Sequence, residues 1–297
     1  MPDGSVATIA DPEAVDRAVN EELAGLDANE VAGESRVSLG RRLWSASWPK
    51  LAAIALFLLL WQFVVWTGWK PEFVLPPPST VFAELWSRVA DGTMFEAIST
   101  TVQRAAIGYA AALAIGLLIG AAVSRVKVLR TAVGSMITGL QTMPSIAWFP
   151  LAVVLFKGGE AAITFVVIVG AAPAIANGLI SGIDNIPPLL LRAGRVLGAN
   201  GWAMFRHIVM PAALPGFVGG LKQGWAFAWR SLLAGELIVL TGRLSIGAQL
   251  TNARDMADVP WLMSVMIVIF VIGVTVDSVF FGTIERRIRS RWGLDTA

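Results

Sequence analysis

Hydrophobic and polar positions along the chain alternate between long uncharged apolar runs and short basic connections. A membrane-spanning helix needs about 20 mainly apolar residues, and runs of that scale stand at 51–69, 105–124, 131–156 and 161–183. Two more, 213–240 and 261–284, are less pure: the first carries Lys222, Arg230 and Glu236, the second Asp277. The pattern predicts an all-α membrane protein with six spanning helices. Residues 71–92 interrupt it, because Pro76, Pro77 and Pro78 cannot continue a helix. Ser79 can cap a new one, whose apolar positions Val81, Phe82, Leu85, Trp86 and Val89 recur every three or four residues. That stripe is expected of a short helix lying in the membrane interface.

The 297 residues are 56% hydrophobic and 15% charged, against roughly 25% charged in soluble domains, so length here counts spans. Lysine and arginine in the connections set the orientation. With the N-terminus inside, the inner segments hold fourteen of them, and the outer segments only five: Lys70, Arg88, Lys157, Arg243 and Arg254. An even number of spans with both termini cytoplasmic satisfies this bias. The same clusters account for the net charge of +2, and no nucleic-acid partner is expected. The first 40 residues carry nine acidic and two basic side chains. Residues 1–45 therefore read as a disordered acidic cytoplasmic tail, with a small helix near 11–26 docking on a partner as the alternative, and 46–293 as the transmembrane domain.

Cysteine is absent and His207 is the only histidine, so neither a thiolate nor a multi-histidine metal site can be built. No lysine follows a glycine, so there is no GxxxxGK[ST] phosphate loop. Any ATP chemistry must belong to a partner, and no cofactor is expected on this chain.

The connection 184–212 is too long for a simple reversal and too apolar for a solvated linker. Pro187 and Pro188 suit a helix start, Gly198 permits a turn, Asn200 can cap a second helix, and Pro211 is expected to close it. Two short helices in a cytoplasmic elbow result. The second arm places Trp202, Phe205 and Val209 on one side with Arg206 and His207 nearby. Such a surface fits recognition by a groove on a cytosolic partner or rest against the membrane, and periodicity leaves both open.

Charged residues inside apolar spans usually face a cavity, because an ion at the bilayer centre costs at least about 2.5 kcal/mol. Arg104, Lys222, Arg230 and Glu236 are therefore candidates for a translocation path, and Asp277 less clearly so. Pro144 and Pro150 bracket residues 145–149 in the third run, where freed carbonyls need neighbours or water. Met143, Pro144 and Ser145 are thus candidate lining or gate residues, with a packed kink as the alternative. Gly108, Gly116 and Gly120 permit close helix contact, within one subunit or at a dimer seam. Trp225, Phe227 and Trp229 occupy both faces of the fifth run and read first as core and interface anchors and second as a hydrophobic gate.

Arg192-Ala193-Gly194-Arg195-Val196-Leu197-Gly198, then nine residues, then Ile208-Val209-Met210-Pro211 resembles the EAA-x3-G-x9-I-x-L-P cytoplasmic loop of ABC importer permeases. Arg192 stands where the family usually has glutamate, Gly194 replaces the second alanine, and Met210 the leucine. Further resemblance, to the aliphatic sulfonate, taurine and nitrate branch, lies in Leu75-Pro76-Pro77-Pro78-Ser79-Thr80-Val81, Thr101-Val102-Gln103-Arg104, Met143-Pro144-Ser145-Ile146-Ala147-Trp148-Phe149-Pro150, Gly158-Gly159-Glu160 and Ala234-Gly235-Glu236-Leu237. The resemblance implies a type I importer permease of the bacterial inner membrane that works as a homodimer. It implies a cytosolic ATPase pair holding ATP and magnesium, and an extracytoplasmic solute-binding protein. It also implies that Gly198, Ala199, Asn200 and Trp202, with Phe205, Arg206 and His207, form the contact with the ATPase. The chain itself is expected to be no enzyme. The rival reading is an autonomous carrier driven by an ion gradient, with Asp277, Glu236 and Arg230 as its relay.

Overall fold

The computed structural model describes residues 39–239 and 241–291. The chain divides into two compact units, Met1–Phe63 and Val64–Ala297. The first contributes most of α1 (Leu39–Trp66), whose segment Ser47–Trp66 is long and apolar enough to cross a membrane. Of the expected tail 1–45, residues up to 38 lie outside the described residues, and α1 already begins at Leu39.

The second unit opens with α2 (Pro78–Ala90). Its N-cap is Pro77, not Ser79. Pro78 occupies the first turn, where a missing N–H costs nothing and φ is already helical. Val81 is buried and Leu85 and Val89 pack on the core, while Trp86 is exposed, as an interfacial helix requires.

Three long helices make the centre: α3 (Thr93–Arg125), α6 (Glu160–Asp184) and α9 (Met210–Ile238). Small residues let their backbones meet. A Cβ on Gly116 would stand 2.8 Å from the Ala172 carbonyl, and one on Gly216 2.7 Å from the Cα of Gly182. Gly178 and Gly220 face each other more closely still. Gly108, Gly116 and Gly120 all pack against α6, so this stripe is internal packing and not a dimer seam.

The third expected span is broken. It runs as α4 (Lys127–Thr142), a 3-10 turn (Ser145–Trp148) and α5 (Phe149–Phe156), with 101° between its halves. Proline bars the preceding residue from helical angles, and Met143 is accordingly extended at φ −77°, ψ 126°. The last span, Val259–Ile288, joins α11 (Val259–Thr275) through a π-helical turn (Val276–Phe281) to α12 (Gly282–Arg291).

Among the described residues, four helices are apolar and long enough to cross a membrane, or five with the bent pair counted as one span. The fifth expected span, α9, has 29 residues, about 43 Å at 1.5 Å per residue. Its length suffices for a core of about 30 Å, and its charged residues set it apart from the apolar five. One element escaped the hydrophobic pattern, the short helix α10 (Ile246–Asp255), started by Ser245 accepting the Ala248 N–H.

Candidate functional site

The break in the third span opens a cavity of about 370 Å3 between α4, the 3-10 turn, α6 and α9. Met143, Pro144 and Ser145 line it, and so does Arg230. Trp148, from the stretch 145–149, and Phe227 also line it, together with Gln141 and Val169, which no sequence pattern marks. Arg230 is the only charged lining residue among the described residues. Its Nε donates to the Ala226 carbonyl at 3.0 Å, and its guanidinium sits 4.9 Å from the Phe227 ring centre, which leaves its NH groups available to a solute. Beside it, Ser231 Oγ is hydrogen-bonded to Ser145 Oγ at 2.7 Å and tied to the Phe227 carbonyl. The Ser145–Ser231 bond links the break directly to α9. Gln141 Nε2 donates to the Pro173 carbonyl at 3.2 Å. Pro173, within α6, has no N–H for the carbonyl of Val169, a lining residue. Two proline-disturbed helices therefore meet at the one cationic side chain.

The other charged candidates lie elsewhere. Glu236 is 1% exposed and Arg104 8%, and they face each other at the end of the bundle opposite the elbow. Arg104 Nη1 donates to Glu236 at 2.7 Å, its Nε to Glu160 at 2.7 Å and its Nη2 to Thr241 at 2.6 Å. Glu236 also accepts from Thr101 Oγ1 at 2.9 Å and from the Gly247 N–H at 3.0 Å, while Thr101 Oγ1 accepts the Ile246 N–H. This cluster pins α3, α6, α9 and α10 together. The expectation that Arg104 and Glu236 face a path is corrected: an ion in low dielectric needs a counter-ion, and each has the other. Lys222 pairs with Asp277 at 3.3 Å, away from the cavity. Trp225 stacks on Trp229 and meets Tyr109 edge-on at 5.5 Å, so these rings are core, while Phe227 belongs to the cavity.

The elbow starts with α7 (Pro188–Val196), capped by Pro187. Gly198 takes φ +81°, a left-handed conformation that glycine adopts without cost. The Ala199 N–H then reaches the Gly194 carbonyl at 2.9 Å and the Gly198 N–H the Arg195 carbonyl at 3.0 Å, the paired bonds of a Schellman closure. Gly194 is buried against Ile208 and Met204, which explains a glycine where the loop pattern has alanine: even a methyl would press on the other arm. Val196, Leu197 and Trp202 project at 87%, 86% and 69% exposure. Asn200 supplies the backbone cap of the second arm but no side-chain cap bond. Arg206 and His207 are exposed, His207 Nδ1 lying 3.1 Å from the Ala203 carbonyl. Phe205 meets Trp202 in a tilted contact with ring centres 5.3 Å apart and lies under the Arg125 guanidinium at the end of α3.

Pro211 does not close the second arm. Helix α8 (Gly201–Met204), a π-helical turn (Phe205–Val209) and α9 run on without interruption. A proline ring clashes with the carbonyl four residues back and gives it no N–H. In the wide turn the Met210 N–H donates to the Phe205 carbonyl five residues back, which shifts the preceding carbonyls and carries the helix past the proline. The elbow is therefore one short helix set by a tight turn on the end of a long one.

A family model described as "Binding-protein-dependent transport system inner membrane component" matches residues 112–290. Similar proteins include the riboflavin transport system permease protein RibX of Chloroflexus aurantiacus, 28% identical over 259 residues, covering 85% of this chain and 94% of the relative. The nitrate import permease protein NrtB of Synechococcus elongatus is 27% identical over 236 residues, covering 76% and 83%. The taurine transport system permease protein TauC of Escherichia coli is 25% identical over 204 residues, covering 67% and 74%. Two solved structures share the fold. One, of inward-facing conformations of the MetNI methionine ABC transporter, has a TM-score of 0.56 at 21% identity over 66% of this chain and 96% of that one. The other, an amino acid ABC transporter, has a TM-score of 0.56 at 16% identity over 68% and 97%.

Proposed function

The chain belongs to the family of binding-protein-dependent transport system inner membrane components and is an ABC importer permease, and from that premise we propose that the cavity at Arg230 is the path of a small anionic solute and the elbow the handle that a separate ATPase moves. The reading includes a second copy of the chain, a cytosolic ATPase pair that binds ATP and magnesium, and an extracytoplasmic binding protein. Both termini are cytoplasmic, and residues 46–293 are the permease domain.

The observation that carries the solute class is the lining of the cavity. A lone guanidinium, with hydroxyl and amide groups around it and no carboxylate among the described lining residues, favours an anion by a charge-assisted hydrogen bond. The names of NrtB and TauC point to nitrate and to a sulfonate, while that of RibX points to riboflavin, so an aliphatic sulfonate, taurine or nitrate-type solute agrees with Arg230 and with two of the three relatives.

The observation that carries the coupling is the continuity of the helix from Gly201 to Ile238. From Trp202 to Arg230 are 28 residues, about 42 Å of one rod. A displacement of the exposed tip, formed by Gly198, Ala199, Asn200 and Trp202 and flanked by Phe205, Arg206 and His207, travels along this rod to the cavity. There the Ser231–Ser145 bond passes it to the break in the third span. A Schellman-closed turn keeps the motion from being absorbed in the elbow. The gradient-driven alternative finds no relay: Glu236 is bound to Arg104, Asp277 to Lys222, and Arg230 faces the cavity without either.

The test is uptake of labelled nitrate, taurine, an alkanesulfonate and riboflavin by a strain deleted for this chain and complemented with wild type or Arg230→Gln. Loss of one anion in the deletion strain is expected. Arg230→Gln should lower its uptake by about 10–100-fold, the worth of a charged hydrogen bond, with membrane abundance unchanged. Normal uptake of every anion by the deletion strain, or full activity of Arg230→Gln, would overturn the anionic assignment.

A further inference from the structure

At the root of the elbow a second, larger cavity of about 840 Å3 opens between the start of α9 and α12. Its lining has two chemistries. Arg206, His207, Arg287 and Arg291 supply N–H donors, whereas Met210, Leu214 and Ile288 supply an apolar wall. None of its lining residues is acidic among the described residues. The ion pairs seen among the described residues involve other lysines and arginines, and none of them Arg206, Arg287 or Arg291. Arginine stays charged under all ordinary conditions, and three guanidiniums facing one cavity repel one another unless an anion sits between them.

The order of the residues says what kind of anion. From the π-helical turn into α9 the lining proceeds from Arg206 to Met210 to Leu214, from cation to hydrocarbon, in the direction in which the helix enters the membrane. Arg287 and Arg291, four residues apart on α12, share one face and bring their charge to the level of Arg206. A free phosphate would use the cations and leave the apolar wall to water. A phospholipid uses both, since a headgroup phosphate and a glycerol with its first acyl carbons reproduce the same polar-to-apolar gradient. Basic pockets between membrane helices hold anionic headgroups in this manner.

We propose that this cavity is a binding site for an anionic phospholipid of the leaflet at the elbow end, with its phosphate held by Arg206, Arg287 and Arg291 and its glycerol backbone against Met210, Leu214 and Ile288. A lipid seated there joins the π-helical turn beneath the elbow to the last helix, so it stiffens the root of the lever. The site stands apart from the solute path, and neither depends on the other.

Native mass spectrometry of the full-length chain in nonionic detergent, titrated with phosphatidylglycerol and separately with phosphatidylcholine of the same acyl chains, tests this. Preferential retention of one phosphatidylglycerol per chain is expected. Arg287→Gln/Arg291→Gln should weaken it about 25-fold, roughly fivefold for each arginine removed from an anionic surface, and Arg287→Lys/Arg291→Lys should largely preserve it. Equal retention of the two lipids by the wild-type chain would overturn the proposal without recourse to any variant. So would unchanged affinity of the glutamine variant. Displacement of phosphatidylglycerol by millimolar inorganic phosphate would overturn the lipid assignment and leave a free-anion site.

Discussion

Replacing Arg104 with leucine is expected to damage the fold more than any change at the solute cavity. Glu236 has a side chain with no exposed surface, and it accepts hydrogen bonds from Arg104, Thr101 and the Gly247 N–H. Arg104→Leu removes the 2.7 Å charged bond and leaves a carboxylate buried without its counter-ion, a change that costs about 3–5 kcal/mol. Each kcal/mol moves the melting point of a domain of this size by about 2–4 °C, so the midpoint should fall by about 6–20 °C in detergent micelles, followed by tryptophan fluorescence. Glu236→Gln keeps an acceptor for Thr101 and Gly247 and should cost less, about 1–3 kcal/mol. The double variant Arg104→Leu/Glu236→Leu removes the orphaned charge together with its cause and should recover part of the loss. A coupling of about 3 kcal/mol is expected in the cycle that the single variant Glu236→Leu completes. Single effects that add to within about 0.5 kcal/mol of the double would mean that the two residues do not act as a pair. Glu236→Gln with an unchanged midpoint and altered uptake would return Glu236 to the solute path.

Other perturbations follow from the packing and the elbow. Gly178→Leu drives a side chain into Gly220 of α9 and should cost about 3 kcal/mol, read as loss of monodisperse protein on size exclusion. Gly198→Val forces a branched side chain into φ +81°, at a cost of roughly 1–2 kcal/mol, and should lower recovery of the ATPase in co-purification without changing the yield of the permease. Pro211→Ala removes the ring that the π-helical turn accommodates, so the turn should relax to α-helix and rotate the tip by about 100°, one residue of helix. Weaker stimulation of ATP hydrolysis by solute is the expected readout, and unchanged stimulation would show that the π turn plays no part in coupling.

Much of this architecture is legible in the sequence because membrane helices and proline obey local rules. The apolar runs, the interfacial helix after Pro77, and the elbow with its Gly198 turn follow from composition and spacing alone. What the sequence hides is long-range or directional. Arg104 and Glu236 are 132 residues apart, and no local pattern shows that each supplies the other's counter-ion. Pro144 announces a disturbance, but the 101° turn that makes it a cavity wall depends on Ser145 bonding to Ser231 and on Gly170 leaving room. Pro211 misleads because proline normally ends a helix, and only the five-residue turn ahead of it lets the chain continue. Gln141 and Val169 carry no charge and no motif, so only their convergence on Arg230 marks them.

A permease that is moved by a foreign motor must be inert without it. Proteoliposomes containing this chain alone, the chain with its ATPase and binding protein, and the complete set with Ala199→Glu at the tip of the elbow can be compared for ATP-dependent accumulation of the solute found in the uptake panel. Accumulation in the complete wild-type set, with none in the other two, is the expected result. Concentrative uptake by vesicles that hold the chain alone would contradict it.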